Sequence, residues 1–285
     1  MWVFELTTIF FVLIFILSQT GWPYDKRHVI LLLLVSVAAW LAEETSIRLY
    51  HFYLYQPQWR LFIGHIPIVV LAVWPAVVYS AWDLASQLLG NRSKWIPLAA
   101  SAIVLTDAAL IEVVAVSSGL WVWTEPGIFQ VPVIGILGWA FFAFFCVLLL
   151  QRSGRSDAKK VFLLMPLLPV LATHLLLLIT WWGMLRRLSG PMNSLPGVAA
   201  AWALSLILVV MIFKKRAGRC VKRKTLLWRL PAALFFFVLL AIHGRDDVGL
   251  ILFALAFAPP YLALLVDAKG SKAQAGSPLG RTVGE

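Results

Sequence analysis

Charged residues are scarce in this chain, since Asp, Glu, Lys and Arg make up only 13% of 285 residues while 61% are hydrophobic. The mean hydropathy of the chain is +0.89, and a soluble domain does not need this much apolar sequence to form its core. A soluble fold is therefore excluded. We predict an all-α polytopic transmembrane bundle that forms one domain over residues 1–268. A polar segment at 269–285, rich in Gly, Ser, Ala and Lys, is expected to be a disordered C-terminal tail.

Acidic residues are outnumbered by basic ones, and the formal net charge is +11. Such an excess can indicate nucleic-acid binding, but here the basic residues lie between apolar segments, where they determine membrane topology. No soluble module remains that could bind a nucleic acid. We therefore expect the bilayer and a lipophilic molecule, and no nucleic acid, as partners.

The chain also lacks the common motifs of soluble enzymes. Its two cysteines, Cys146 and Cys220, are too few for a disulfide framework, and we expect free thiols. Phosphate-binding glycine loops, a G-x-S-x-G elbow and His or Glu pairs at metal-ligand spacing are all absent from the sequence. Hydrolysis, kinase chemistry and diphosphate-dependent prenyl transfer are disfavoured, and no metal or redox cofactor is expected.

What the sequence has instead is a series of apolar segments of membrane-spanning length. We predict nine spans, near residues 2–18, 28–48, 61–82, 95–116, 131–150, 161–182, 197–213, 228–243 and 248–266. With nine spans the two termini lie on opposite sides of the membrane. The side of the N-terminus carries only five of the 24 Lys and Arg residues, so the positive-inside rule places the N-terminus outside and the C-terminus in the cytoplasm.

Several acidic residues fall within or at the edge of these apolar segments, where a charge is costly unless it is paired, protonated or functional, and four of them are candidates for a site. They are Glu43, Glu44, Asp107 and Glu112. In the predicted topology they lie in the outer half of the bilayer, and so do His65, His174, Trp121 and Trp123. Trp139 follows these tryptophans in the sequence, at the end of the Pro- and Gly-containing stretch EPGIFQVPVIGILGW at 125–139. Convergence of separate segments on one depth predicts a site.

Structural roles remain open for each of these residues. Glu44 and Arg48 are spaced i, i+4, which favours an ion pair at the end of the second span. Glu43 lies about 100° further round that helix and cannot face Arg48 as well. Asp107 and Glu112 lie on different parts of one helix, so at least one should point into the bundle while the other serves helix packing.

Acids and tryptophans in an apolar setting suggest a particular chemistry. A carboxylic acid in an apolar cavity keeps its proton, because burial disfavours the anion. It can then protonate an alkene. The faces of aromatic rings stabilise the resulting cation by about 0.5–2 kcal/mol each. A second carboxylate can deliver water or remove a proton. Hydration, isomerisation and cyclisation all follow from this arrangement.

Two stretches of the chain carry a family resemblance. They are LAEETSIRLYHFYLY…GHIPIVVLAVW at 41–74 and TDAALIEVVAVSSGLWVWTEPGIFQVPVIGILGWAFFAF at 106–144. The Glu–Thr, the Tyr-containing loop, the acidic span, the Gly–Leu–Trp–x–Trp turn and the Gly–Trp resemble those of the carotenoid-synthesis hydratase family, including bisanhydrobacterioruberin and γ-carotene hydratases. One departure is Gly135-Ile136, where the family often shows Asn–Phe.

The resemblance implies a membrane enzyme that adds water to a terminal carotenoid double bond. Glu44 would match the acid of the Glu–Thr element, and Asp107 and Glu112 would match the acidic span. The aromatic positions would correspond to Trp121, Trp123 and Trp139, and the Tyr-containing loop holds Tyr53.

We therefore predict a hydratase-like enzyme in the cytoplasmic membrane of a bacterium or archaeon, acting on an isoprenoid or polyene. Asp107 or Glu112 would be the general acid, and Glu44 or Glu43 would be the base that activates water. The expected substrate-binding residues are Trp121, Trp123, Trp139, His65, His174 and Tyr53. Three alternatives remain: a cyclase or isomerase with the same protonation chemistry, a proton-coupled transporter of a lipophilic substrate, and a non-catalytic scaffold subunit.

Overall fold

The structure is a computed structural model that describes residues 2–20, 26–91, 93–153, 158–188, 193–214 and 221–275. Cys220 and residues 276–285 of the predicted tail lie outside the described residues, whereas residues 269–275 continue the last helix. The elements are α1 Trp2–Thr20, α2 Lys26–Arg48, β1 Tyr53–Tyr55, β2 Phe62–Ile63, β3 Ile66–Pro67, α3 Ile68–Leu89, α4 Ile96–Ser117, β4 Trp121–Trp123, α5 Val133–Ser153, α6 Ala158–Leu164, α7 Leu168–Thr180, a π-helical turn Trp181–Leu185, α8 Arg186–Leu188, α9 Ser194–Lys214, α10 Arg223–Leu227, α11 Leu230–His243, α12 Val248–Leu255 and α13 Ala258–Ala275.

The protein is an all-α polytopic bundle, as predicted. Among the described residues, eight helices are long and apolar enough to cross a membrane: Lys26–Arg48, Ile68–Leu89, Ile96–Ser117, Val133–Arg152, Leu168–Leu185, Ser194–Lys214, Arg223–His243 and Val248–Val266. The first of the nine predicted spans corresponds to α1, whose apolar stretch Glu5–Ser18 is shorter. The sidedness of the termini stays a prediction.

The predicted start of the third span at residue 61 was wrong, because helix α3 begins only at Ile68. Residues 62–67 form a hairpin in which Ile63 pairs with Ile66 across a two-residue turn. Pro67 disfavours a helical backbone at the residue before it, and Gly64 adopts a positive φ of +64° that suits a tight turn. The hairpin residues are apolar, so in the sequence they could not be distinguished from the first residues of a span.

A second pair of strands lies outside the spans and matters more for the site. β1, which follows α2, pairs antiparallel with β4, which follows α4, in the register Tyr53↔Trp123, Leu54↔Val122 and Tyr55↔Trp121. Because side chains alternate along a strand, the four aromatic residues share the inner face, while Leu54 and Val122 are exposed. The ladder thus brings aromatic residues from two distant segments together over the ends of α2 and α4.

Helices α4 and α5 make the most extensive contact in the bundle. Ala100 of α4 and Ala143 of α5 are fully buried in one apolar cluster, and the hydroxyl of Ser101 donates to the carbonyl of Ala140 at 2.8 Å. Small side chains let helix backbones approach closely in a membrane bundle. This packing fixes the position of Glu112 on α4 relative to Trp139 on α5.

The hairpin turn provides a test of the fold. A Cβ at Gly64 would lie 2.7 Å from Oε1 and Oε2 of Glu44, whereas a Cβ at Gly119, also at positive φ, has its nearest neighbour 4.0 Å away. Both alanine variants carry a backbone penalty of about 1 kcal/mol, and Gly64→Ala adds a steric cost of about 1–3 kcal/mol. We expect Gly64→Ala to lower the Tm in detergent more than Gly119→Ala. Equal decreases would contradict this account.

Candidate active site

Glu112 is buried in α4, and its carboxylate accepts hydrogen bonds from three tryptophan side chains. Oε2 accepts from Nε1 of Trp121 at 2.8 Å and from Nε1 of Trp123 at 2.9 Å. Oε1 accepts from Nε1 of Trp139 at 2.8 Å. The strand β4 supplies two of these donors and the helix α5 supplies the third. A carboxylate at this depth is tolerated because each oxygen has a donor.

Glu43, near the end of α2, is held in a similar way. Its Oε1 accepts from Nε1 of Trp74 on α3 at 3.0 Å, and its Oε2 accepts from the hydroxyls of Tyr53 and Tyr55, the latter at 3.0 Å. Six aromatic side chains thus share two buried carboxylates. Among the residues that the structure describes, no other acidic or basic side chain takes part in either set of bonds.

The donors of the two carboxylates pack against each other ring by ring. The ring centroids lie 4.7 Å apart for Tyr53 and Trp123, and 5.8 Å apart for Tyr55 and Trp121. Trp74 and Trp139 are 4.6 Å apart. Each pair joins one donor of Glu43 to one donor of Glu112. The β1–β4 register produces the first two pairs directly.

The pKa values of Tyr53 and Tyr55 depend on both acids. Burial raises the pKa of Tyr53 and of Tyr55 well above the usual value for a phenol, and the negative charges of Glu43 and Glu112 raise it further. The hydroxyls therefore stay protonated at any physiological pH and remain available as hydrogen-bond donors.

Both carboxylates line one small cavity of about 70 Å³. Its wall also contains Ser46, Thr173 and His174, together with the small residues Gly135 and Gly138 of α5. His174 and Thr173 come from α7 and are buried. The cavity therefore lies between α2, α3, α4, α5, α7 and the β1–β4 ladder, and its lining includes polar groups from α2, α4 and α7.

A second, larger cleft lies next to this cavity, with a volume of about 460 Å³ and a mainly apolar lining. It runs between residues of α1, α3, α4, α11 and α13. Four side chains line both spaces: Tyr55, Trp74, Trp121 and Trp139. The apolar cleft therefore ends against the aromatic residues that hold the carboxylates.

Asp107 belongs to a different group. It forms an ion pair with Arg229, and it also accepts a hydrogen bond from the hydroxyl of Tyr261 at 2.6 Å. Nη1 of Arg229 donates to the hydroxyl of Ser80 at 2.8 Å. These residues line the larger cleft rather than the small cavity. The structure therefore separates Asp107 from Glu112, although one helix carries both.

Glu44 points away from Glu43, as its position round the helix requires. The predicted ion pair with Arg48 is confirmed, with Oε1 of Glu44 2.6 Å from Nε of Arg48. Glu44 also accepts from the backbone N–H of His65 at 2.9 Å and lies 2.9 Å from its Nδ1. Glu44 thus anchors the β2–β3 hairpin to α2. His65 lies in that hairpin, away from the cavity.

Of the predicted site residues, seven line the small cavity and three do not. Glu43, Glu112, Tyr53, Trp121, Trp123, Trp139 and His174 are brought together, whereas Asp107, Glu44 and His65 lie elsewhere. Sequence reasoning missed Trp74, Tyr55, Thr173 and Gly135. The alternation Tyr-Leu-Tyr and Trp-Val-Trp, read as paired strands, was a signal that could have added Tyr55.

In the part of the chain that the structure describes, no group of three or more His, Cys, Asp or Glu side chains is arranged to hold a metal ion. The expectation that the protein needs no metal or cofactor stays a prediction. The donors at the two carboxylates are indole N–H and phenol O–H groups, which are suited to holding an acid and not to ligating a cation.

A family model described as carotenoid biosynthesis protein matches residues 1–212. The chain belongs to this carotenoid biosynthesis family. No curated protein and no solved structure matches it. All residues that line the small cavity fall within the matched part, whereas Arg229 and Tyr261 lie beyond it. Membership in the family implies a lipophilic isoprenoid substrate in a membrane.

Gly135 provides a test of the site geometry in this member of the carotenoid biosynthesis family. A Cβ at Gly135 would lie 2.4 Å from Cζ2 of Trp123, whereas a Cβ at Gly138, one turn further along α5, would be 3.7 Å from Leu177. We expect Gly135→Ala to displace the Trp123 indole from Glu112 and to cost about 1–3 kcal/mol of unfolding free energy. Gly138→Ala should leave both unchanged.

The measurement is the indole N–H resonance of Trp123 in protein labelled with ¹⁵N-tryptophan, assigned with Trp123→Phe, together with the Tm. If the Trp123 resonance keeps its position in Gly135→Ala, the close approach of the ring to the α5 backbone is not what positions this donor.

Proposed function

We propose that this protein adds water to the terminal double bond of a carotenoid-like polyene by acid-initiated carbocation chemistry. The observation that carries the proposal is the pair of buried carboxylates, each held by three aromatic donors, at the end of a large apolar cleft. The family supplies the substrate class, and the site supplies the groups that an alkene hydration requires.

The larger cleft is the natural place for the hydrocarbon chain. Its volume of about 460 Å³ falls within the range of ligand pockets, and its lining is mostly apolar. The chain would enter from the lipid and lie between α1, α3, α4 and α11. Its terminal double bond would then reach the carboxylates by passing Tyr55, Trp74, Trp121 and Trp139, which line both spaces.

Hydrogen-bond chemistry distinguishes the roles of the two acids. The indole N–H groups around Glu112 can only donate, so they favour an ionised carboxylate there. The tyrosine hydroxyls at Glu43 can donate or accept, so they can accommodate a carboxylic acid O–H. We therefore assign Glu43 as the general acid and Glu112 as the carboxylate that faces the cation and later accepts a proton. This differs from the expected assignment of Asp107 or Glu112 as the acid.

The reaction then proceeds in two balanced steps. The O–H bond of Glu43 breaks, and its proton forms a new C–H bond at the less substituted alkene carbon, which leaves a tertiary cation. The faces of the neighbouring tryptophans and the charge of Glu112 stabilise this cation. A water oxygen forms the C–O bond, and the excess proton passes to Glu112. Proton return from Glu112 to Glu43 through cavity water restores the site.

The remaining acids have supporting roles in this proposal. Asp107 neutralises Arg229 and links α4 to α13 through Tyr261, so the cleft keeps its shape without a net charge. Glu44 fixes the hairpin beside α2. The proposal retains the expected setting, which is the cytoplasmic membrane of a bacterium or archaeon with the N-terminus outside.

Each proposed catalytic acid has a second acid on the same helix that serves as its control: Glu44 for Glu43, and Asp107 for Glu112. We expect Glu43→Gln and Glu112→Gln each to lower formation of the hydrated product by at least about 100-fold, because general acid–base groups contribute about 10²–10⁴-fold. Glu44→Gln and Asp107→Asn should retain a measurable fraction of the activity. The measurement is expression in a carotenoid-producing bacterial host, followed by mass spectrometry of the extracted pigments, normalised to the amount of folded protein.

A product heavier by one water that depends on Glu43 and Glu112 supports the proposal. A product of unchanged mass that depends on the same two residues would favour the cyclase or isomerase alternative. Loss of product in Glu44→Gln, with full activity in Glu43→Gln, would contradict our assignment and favour the residue that the family resemblance indicated.

A further inference from the structure

Two polar residues on α7 are left without partners at the wall of the small cavity. Thr173 is 3% exposed and His174 is 7% exposed. Within the described part of the chain, Oγ1 of Thr173 and both ring nitrogens of His174 are buried and have no hydrogen-bond partner. Buried polar groups are nearly always satisfied, so such a group beside a cavity indicates a ligand.

Three other helical threonines make a hydrogen bond that Thr173 does not make. The hydroxyls of Thr45, Thr106 and Thr180 donate to the carbonyl four residues earlier, at 2.6 Å, 2.8 Å and 2.7 Å respectively. Thr180 lies on the same helix as Thr173. Thr173 does not make this bond, and its hydroxyl therefore remains available to a molecule in the cavity.

The size of the cavity limits what that molecule can be. A volume of about 70 Å³ is too small for a whole polyene chain, so in the proposed reaction only its terminal double bond reaches the carboxylates. One water needs roughly 10–15 Å³ of such a cavity, so a few waters can occupy it. A buried water requires two to four polar partners. Thr173, His174 and the carboxylates around the same cavity supply them.

We propose that Thr173 and His174 bind the water molecule that is added to the substrate. This inference rests on the proposed hydration and names its second reactant. A neutral imidazole offers one acceptor and one N–H donor, and the threonine hydroxyl offers both kinds of bond. Together they hold the water oxygen on the α7 side of the cavity, facing the cation. Its lone pair forms the C–O bond, and its proton leaves to Glu112.

The test measures which of two products the cation gives: the hydrated product or a double-bond isomer. When bound water is absent, the cation loses a proton to a carboxylate and gives a double-bond isomer of unchanged mass. We expect Thr173→Val to lower the ratio of hydrated to isomerised product at least about 10-fold while total conversion continues. Thr180→Val is the matched control on the same helix. Thr173→Ser, which retains the hydroxyl, should restore the ratio, and His174→Phe should lower it.

A parallel fall of both products in Thr173→Val, with an unchanged ratio, would show a packing role and overturn the inference.

A second readout is independent of turnover. A high-resolution structure should show an ordered water within hydrogen-bond distance of Thr173 Oγ1 and a His174 ring nitrogen, and this water should be lost in Thr173→Val. If the wild type makes no hydrated product but this water is present, the proposed function fails and the water site stands. If the water is absent from the wild type, the site is refuted.

Discussion

The structure depends on one constraint: a carboxylate inside a membrane bundle must have its oxygens satisfied by groups that belong there. Here the solution is aromatic, since Glu112 accepts from three indoles and Glu43 accepts from one indole and two phenols. These donors are apolar enough to pack in the core and still present an N–H or O–H group. An Arg or Lys partner would satisfy the same oxygens but would place a fixed positive charge next to the carbocation that we propose.

This constraint explains the short strands between the helices. One helix cannot surround its own carboxylate with three large aromatic rings, because only a few positions lie on one face. The β1–β4 ladder brings four rings from two separate segments into register over Glu43 and Glu112. Trp74 and Trp139 complete the arrangement from α3 and α5, and the contact of Gly135 with Trp123 lets one ring lie directly on the α5 backbone.

The sequence predicted the helical bundle well, since long apolar runs in a membrane have few other solutions. It also selected Glu43 and Glu112 as candidates, because an acid within such a run is unusual; the structure brings both to one cavity, and their catalytic role stays a prediction. It could not separate Asp107 from Glu112, since the partner Arg229 is 122 residues away along the chain. Nor could it find Trp74, which resembles the tryptophans expected at membrane interfaces. Residues 61–67 were assigned to a span because hydropathy does not distinguish an apolar hairpin from a helix end.

The central claim is that a carboxylic acid protonates an alkene and that water, and not molecular oxygen, supplies the new hydroxyl. The most direct measurement is isotope incorporation by the purified protein acting on an acyclic polyene in H₂¹⁸O and in D₂O. The account predicts one ¹⁸O atom at the tertiary carbon and one carbon-bound deuterium at its neighbour. A hydroxylated product whose oxygen comes from O₂, or one formed without carbon-bound deuterium, would contradict it.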